Sequence, residues 1–220
     1  MKVYKNRLVG IDVIRSIAIF CVVMCHVVEG RIYTLNVGFM QSMSFISKLF
    51  AFTAFSIGRI GVPFFLLISG YLLLDRKYDD ATCRKFWKTK CISLFLIIEV
   101  WNILYNMFNT LFFNNEILID TMIRQLFLVK ASSMNHMWYM PMILGMYLTL
   151  PIIANALQEF QLKTLFIPYS IILIYVFGIP VLNEFLKVLG EDGVVSLLST
   201  GFSGGCYGLY LITGYMLKKG

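Results

Sequence analysis

Two basic side chains, Arg15 and His26, lie in an otherwise apolar stretch from about residue 8 to residue 28. A charged side chain within a bilayer is costly, and such residues usually serve a pathway or a reaction. The step from Arg15 to His26 turns an α-helix by about 1100°, so the two side chains share one face, roughly 16 Å apart along the axis. Asp12 precedes Arg15 by one turn and joins this stripe. A neutral imidazole can accept a proton and a guanidinium can hold an anion, so the pattern indicates acid–base chemistry beside a cation.

Each of these residues also has a structural interpretation. Arg15 and Asp12 can form an ion pair that lowers the cost of placing both in a membrane, and the same pair can fix the arginine for anion binding. Glu29 follows His26 by three residues. It either orients the second ring nitrogen of His26 or marks the end of the apolar segment.

Two further polar residues lie in or beside apolar segments. Glu99 is in the segment IIEVWN, where a carboxylate is costly unless it is protonated, ion-paired or used as a helper base. His136 begins another apolar segment. We expect a structural or supporting role for Glu99, and for His136 an interfacial or supporting role.

The composition indicates a membrane protein. The chain of 220 residues is 59% hydrophobic and only 14% charged, whereas soluble domains carry about 25% charged residues. Its net charge of +7 is concentrated between the apolar segments, which suits loops beside an anionic leaflet better than a nucleic-acid groove. The five cysteines form no CxxC motif, and the two histidines lack metal-ligand spacing. We therefore expect the lipid bilayer as a partner, and no nucleic acid, disulfide framework or metal site.

The apolar segments predict an all-α, polytopic bundle of about six membrane-spanning helices, since each span needs about 20 apolar residues. Residues 32–57 are either an outer loop with an interfacial helix or a seventh span, and residues 118–129 form an amphipathic interfacial segment. The predicted spans are 8–28, 58–74, 91–113, 136–157, 164–182 and 200–217.

Charge distribution predicts the orientation. With a cytoplasmic N-terminus, twelve Lys and Arg residues fall in inner segments and six, among them Arg59, fall in outer segments. By the positive-inside rule, both termini are cytoplasmic, and we expect a multi-pass protein of the plasma membrane.

Several segments together resemble the membrane-embedded acyltransferase 3 family. The family's first helix carries an arginine and, ten residues further on, a histidine, which match Arg15 and His26 in GIDVIRSIAIFCVVMCHVVE. The segments GVPFFLLISGYLLLDRK, HMWYMPMILGMYLTLPII and GLYLITGYMLKK resemble other helices of the family. Family members usually have about ten membrane helices, so the chain is similar to their N-terminal part. We expect residues 1–220 to form a single acyltransferase-like domain that is truncated at its C-terminal side.

The resemblance implies an O-acyltransferase that uses acetyl-CoA, or another acyl-CoA, as donor substrate without a bound cofactor. The acceptor would be a hydroxyl of a cell-envelope glycan or a related small molecule. His26 and Arg15 would be the catalytic pair, with Asp12, Glu29, Glu99 and His136 as orienting or supporting residues. Two alternatives stay open: an exporter of a polar metabolite or glycan, and a non-catalytic membrane module like that of racemase-fused relatives.

The resemblance also gives a role to a basic run after the second span. Arg84, Lys85 and Lys88 would anchor the inner side of the membrane in any case. In this family they would also bind the phosphates of the acyl-CoA. The family has an arginine-containing motif here, and lysine lacks the forked geometry of arginine, so phosphate contacts at Lys85 and Lys88 would be looser.

Overall fold

The computed structural model describes residues 8–30, 42–113, 119–130, 135–194 and 205–220. All regular elements within these ranges are helical, which confirms the predicted all-α class. These elements include two π-helical segments, Trp87–Cys91 and Ile174–Gly178, and a 3₁₀ turn, Asn135–Trp138. The α-helices are α1 (Val9–Val28), α2 (Phe45–Gly58), α3 (Gly61–Leu73), α4 (Asp80–Phe86), α5 (Ile92–Phe113), α6 (Ile119–Leu126), α7 (Tyr139–Gln158), α8 (Leu162–Leu173), α9 (Ile179–Leu189) and α10 (Gly205–Lys219).

Five helical stretches in the described ranges are long and apolar enough to cross a membrane. A helix suits this environment because it satisfies its backbone hydrogen bonds internally. The predicted sixth span corresponds to α10, of which 15 residues are described, while residues 200–204 lie outside the described ranges. The helical structure is thus compatible with the predicted bundle of about six spans. The five stretches are Val9–Val28, Phe45–Leu73, Asp80–Phe113, His136–Gln158 and Leu162–Leu189.

Within the region 32–57, the structure describes a helix that is joined to the second predicted span. Residues 32–41 lie outside the described ranges, but α2 begins at Phe45 and continues into α3 across a short break at Arg59 and Ile60. A helix of 14 residues spans only about 21 Å, less than the hydrocarbon core, so α2 is not an independent span. Instead it lengthens the second apolar stretch to 29 residues.

The chain divides into two compact units, which we call unit 1 (Met1–Asp75 with Phe160–Gly220) and unit 2 (Arg76–Glu159). In unit 1, α3 and α10 pack with their backbones in close approach. Gly70 faces the backbone carbonyl of Leu211, and Gly214 faces the carbonyl of Leu67, with no room for a Cβ atom at either glycine. Small residues allow this geometry between membrane helices, where van der Waals contact supplies the packing energy.

A cluster of charges joins the ends of α3 and α10. The Asp75 carboxylate lies 2.5 Å from Lys219 Nζ and 3.2 Å from Lys218 Nζ. Lys218 also lies over the ring of Tyr71, at 5.5 Å from its centroid. The hydrogen bond from Lys219 is the main cause that lowers the pKa of Asp75.

Unit 2 is held by side-chain hydrogen bonds to backbone atoms. Asn155 of α7 accepts a hydrogen bond from Tyr78 N at 2.9 Å and donates one to Tyr78 O at 2.6 Å. Nearby, Gln158 donates to Arg76 O at 2.8 Å. Trp87 Nε1 donates to the backbone carbonyl of residue 148 at 3.1 Å. These bonds connect the segment before α4, and the π-helical segment after it, to α7.

The short helix α6 is amphipathic, as the sequence predicts for residues 119–129; residue 118 is outside the described ranges. Ile119 and Ile123 are exposed on one side, and Asp120 and Arg124 form a 2.8 Å ion pair on another. Gln125 is buried. The helix therefore has the pattern of an interfacial helix between two spans.

Candidate active site

The two predicted catalytic residues lie on the same flank of α1. Arg15 and His26 are roughly a quarter turn around the helix from the buried residues Ala18, Cys21 and Cys25. The Arg15 side chain is 46% exposed and the His26 side chain 37%. Both side chains are therefore partly accessible on this flank.

Each of these two side chains has a carboxylate one turn away. Arg15 Nη1 lies 3.4 Å from Asp12 Oδ1, and His26 Nδ1 lies 3.5 Å from Glu29 Oε2. Asp12 and Glu29 are thus placed where the sequence suggested an orienting role for each. With Glu29 beside Nδ1, the other ring nitrogen, Nε2, is the one suited to accept a proton from a hydroxyl.

A residue that the sequence interpretation counted only as an outer-segment charge, Arg59, belongs to the same end of unit 1. Gly58 packs against α1 so closely that a Cβ atom there would be 2.8 Å from the Cβ of Cys25. The next residue, Arg59, is thereby brought near the Cys25 thiol. Arg59 therefore adds a cation to the end of α1 that carries His26 and Glu29.

Other contacts hold Arg59 near this end. Its guanidinium lies over the ring of Phe55, 5.5 Å from the centroid, and its charge acts on Tyr207 of α10. The signal in the sequence was the small-residue pair Gly58 and Gly61, which allows the α2–α3 junction to approach α1. Periodicity within one segment does not reveal such a contact between segments.

The predicted donor-binding residues lie in unit 2. Arg84 and Lys85 are in the last turn of α4, and Lys88 is in the π-helical segment that follows. All three are exposed, while the intervening Phe86 is buried. Its ring packs against Tyr78, with centroids 5.6 Å apart. A buried aromatic anchor thus positions an exposed basic surface.

Two more candidate residues lie on other elements of unit 2. His136 is in the 3₁₀ turn before α7, and its Nε2 lies 3.0 Å from the hydroxyl of Tyr105 on α5. Glu99 is buried within α5, with 9% of its surface exposed. The candidate residues are therefore divided between the units, with Asp12, Arg15, His26 and Glu29 in unit 1 and Arg84, Lys85, Lys88, Glu99 and His136 in unit 2.

Comparison with known families adds one match. A family model described as an acyltransferase domain matches residues 8–220. No curated protein and no solved structure gives a significant match. The matched range covers both units and every candidate residue named above.

Proposed function

Because the chain belongs to the acyltransferase 3 family, we propose that it transfers an acetyl group from acetyl-CoA to a hydroxyl of a cell-envelope glycan or a related acceptor. The family supports acyl transfer in a membrane. The choice of donor and acceptor rests on the resemblance of the helices and on the residues that follow.

In this proposal His26 is the general base. Its Nε2 takes the proton of the acceptor hydroxyl while the hydroxyl oxygen attacks the thioester carbonyl carbon. The carbon–sulfur bond then breaks, and the proton passes to the CoA thiolate, so the products are the acetyl ester and free CoA. General bases are needed because an alcohol is a weak nucleophile at neutral pH. Glu29, 3.5 Å from Nδ1, orients the ring and stabilises the imidazolium that forms.

The cationic residues bind the donor. Arg15, held by Asp12, contacts the anionic part of the acyl-CoA with its planar guanidinium. Arg84, Lys85 and Lys88 provide an exposed basic surface for the CoA phosphates at the predicted inner end of the third span. This arrangement requires the orientation predicted by charge, with both termini cytoplasmic in the plasma membrane.

The observation that carries the proposal is the placement of His26, with its carboxylate neighbour Glu29, on the same flank of α1 as the Arg15–Asp12 pair. A histidine whose role was only to anchor the end of the helix would not require a cation on the same flank, roughly 16 Å away along the axis.

The test is acetyl transfer in membranes. Membranes with the wild-type chain, with His26→Ala, with Phe20→Ala or without the chain are incubated with acetyl-CoA labelled in the acetyl group. We expect labelled ester and free CoA thiol in equal amounts with the wild-type chain, and a loss of about 10²–10⁴-fold with His26→Ala. Phe20→Ala, at an exposed position on another face of α1, is the matched control and retains most of the transfer.

Two results would overturn the proposal. Equal transfer by His26→Ala and the wild-type chain would show that His26 is not the general base. Movement of a polar solute across vesicles without CoA release would support the exporter instead.

A further inference from the structure

One face of α5 is polar through most of the membrane span. Glu99, Asn102, Asn106 and Asn109 follow one another at helical spacing and lie on one side of the helix. We call these four residues the polar stripe. The rest of α5 presents exposed apolar side chains such as Leu96, Val100 and Leu104, as expected for a surface in lipid.

The end of the polar stripe nearer the C-terminus of α5 has partners within unit 2. Asn106 Nδ2 donates a 2.8 Å hydrogen bond to Gln125 Oε1 of the interfacial helix α6. Gln125 is only 3% exposed. Beside it, Tyr105 contacts His136. This end of the stripe is therefore fixed.

The other end of the stripe is buried and lacks partners. Glu99 is 9% exposed and Asn102 is 6% exposed. Glu99 Oε1 and Asn102 Oδ1 have no hydrogen-bond partner among the described residues. Buried polar atoms are nearly always hydrogen-bonded. Two such oxygens one turn apart on a membrane helix therefore indicate a place where a ligand with hydrogen-bond donor groups binds.

The chemistry of the two oxygens favours a ligand whose hydroxyl groups donate hydrogen bonds to them. A hard cation such as Ca²⁺ takes six to eight oxygen ligands, and the described residues contain no group of three or more metal-ligating His, Cys, Asp or Glu side chains. Two acceptor oxygens instead match neighbouring hydroxyls of a carbohydrate. We propose that Glu99 and Asn102 bind hydroxyl groups of the acyl acceptor, an inference that rests on the proposed function.

The carboxyl group of Glu99 assigns the site to the acceptor and not to the phosphates of acyl-CoA, because a carboxylate repels an anion. In the proposed orientation the C-terminal end of α5 is the outer end, where an envelope glycan is found. Asn106 lies about 10 Å from Glu99 toward that end. The basic residues proposed for CoA precede α5, toward the inner side. Glu99 itself lies about 10 Å along α5 from Ile92, so a glycan from outside reaches Glu99 and Asn102 by following the polar stripe past Asn106.

The test measures saturation by each substrate separately. Membranes with the full chain receive labelled acetyl-CoA and soluble glycan fragments released from the envelope of the same cells. We expect Asn102→Leu to raise the half-saturating fragment concentration about tenfold, the effect of losing one hydrogen bond. Half-saturation by acetyl-CoA stays unchanged, and high fragment concentrations restore the rate.

Further variants separate hydroxyl binding from other roles. Glu99→Gln retains an acceptor oxygen, so it raises the half-saturating fragment concentration less than Glu99→Leu does. Ser93→Leu, at an exposed position on the same helix, is the matched control and behaves as the wild-type chain. Detergent-extracted yield and melting temperature verify that each variant folds.

Each contrary result has a distinct meaning. An unchanged fragment dependence in Asn102→Leu, or a shift in acetyl-CoA dependence instead, overturns the acceptor site while the transferase stands. Equal losses in Glu99→Gln and Glu99→Leu show that the charge is required, and they overturn hydroxyl binding in favour of a cation or proton. Absence of transfer by the wild-type chain overturns the proposed function and this site with it.

Discussion

Units 1 and 2 are both helical and apolar, yet the contacts within unit 1 differ in kind from the contacts within unit 2. In unit 1, glycines let the backbones of α3 and α10 touch, as at Gly70 and Gly214. In unit 2, polar side chains such as Asn155 and Trp87 bond to backbone atoms of neighbouring segments. Close backbone packing uses little side-chain surface. Side-chain bonding instead builds polarity into the interior of unit 2.

The chemistry divides along the same boundary. The histidine with its carboxylate neighbour lies in unit 1, whereas the basic surface and the unpartnered oxygens of the polar stripe lie in unit 2. In the proposed function, unit 1 carries the proton transfer and one donor-binding cation, Arg15, and unit 2 carries the residues that bind the CoA phosphates and the acceptor. Variants in one unit should therefore differ in kind from variants in the other.

The largest expected effect is on packing. In Gly214→Ala the new Cβ atom would collide with the carbonyl of Leu67, which is backbone and cannot rotate away. Overpacking of this kind costs about 1–3 kcal/mol, and in a chain of this size it lowers the melting temperature by roughly 2–12 °C. Thermal unfolding in detergent measures it.

The matched control is Gly145→Ala in unit 2. Nothing lies within 4 Å of a Cβ atom at Gly145, so alanine should leave the melting temperature unchanged or raise it slightly. Equal destabilisation by the two substitutions would show that close backbone approach does not distinguish unit 1.

The next effect concerns the orientation of the base. Glu29→Gln removes the negative charge beside His26 Nδ1, and we expect kcat to fall about tenfold or more, with KM for acetyl-CoA nearly unchanged. Initial rates of CoA release measure both constants. If kcat stays at the wild-type value, Glu29 only marks the end of the span.

A smaller effect distinguishes two asparagines with the same bonding pattern. Asn155 pairs with both backbone groups of Tyr78 in unit 2, and Asn183 pairs likewise with Val194 in unit 1. Tyr78 is 8% exposed, whereas Val194 is 46% exposed. We therefore expect Asn155→Ala to cost about 1–2 kcal/mol, since it leaves buried groups unpaired, and Asn183→Ala to cost less. A lower melting temperature for Asn183→Ala than for Asn155→Ala would contradict the importance of these hydrogen bonds in unit 2.

The smallest effect is electrostatic and depends on pH. The pKa of Asp75 is lowered by its lysine partners, so the stabilisation is complete above its unfolded pKa, near 3.9, and is lost as the pH falls through the folded value. Partly exposed ion pairs contribute at most about 1 kcal/mol. Asp75→Asn should thus lower the melting temperature by a few degrees at pH 7, and the difference from wild type should vanish at strongly acid pH. A difference that is independent of pH would assign the effect to packing.

Hydropathy and spacing predicted much of this architecture. Apolar length located the spans because a helix must cross the hydrocarbon core. The 3.6-residue period placed Arg15 and His26 on one flank, as the structure shows. Both inferences concern properties of a single segment.

Contacts between segments could not be predicted in this way. The extension of the second span to Phe45, the approach of Arg59 to Cys25 and the pairing of Asn155 with Tyr78 depend on which helices become neighbours. The roles of His26, Glu29 and the basic residues stay predictions, because they concern substrates.

The most direct test of the division between the units is a pair of acetyl-CoA saturation curves, one for His26→Gln and one for the triple variant Arg84→Gln, Lys85→Gln, Lys88→Gln. We predict that His26→Gln lowers kcat by about 10²-fold or more with little change in KM, and that the triple variant raises KM about tenfold with little change in kcat. The reverse assignment, or equal changes of both constants in both variants, would contradict the division of chemistry and binding between unit 1 and unit 2.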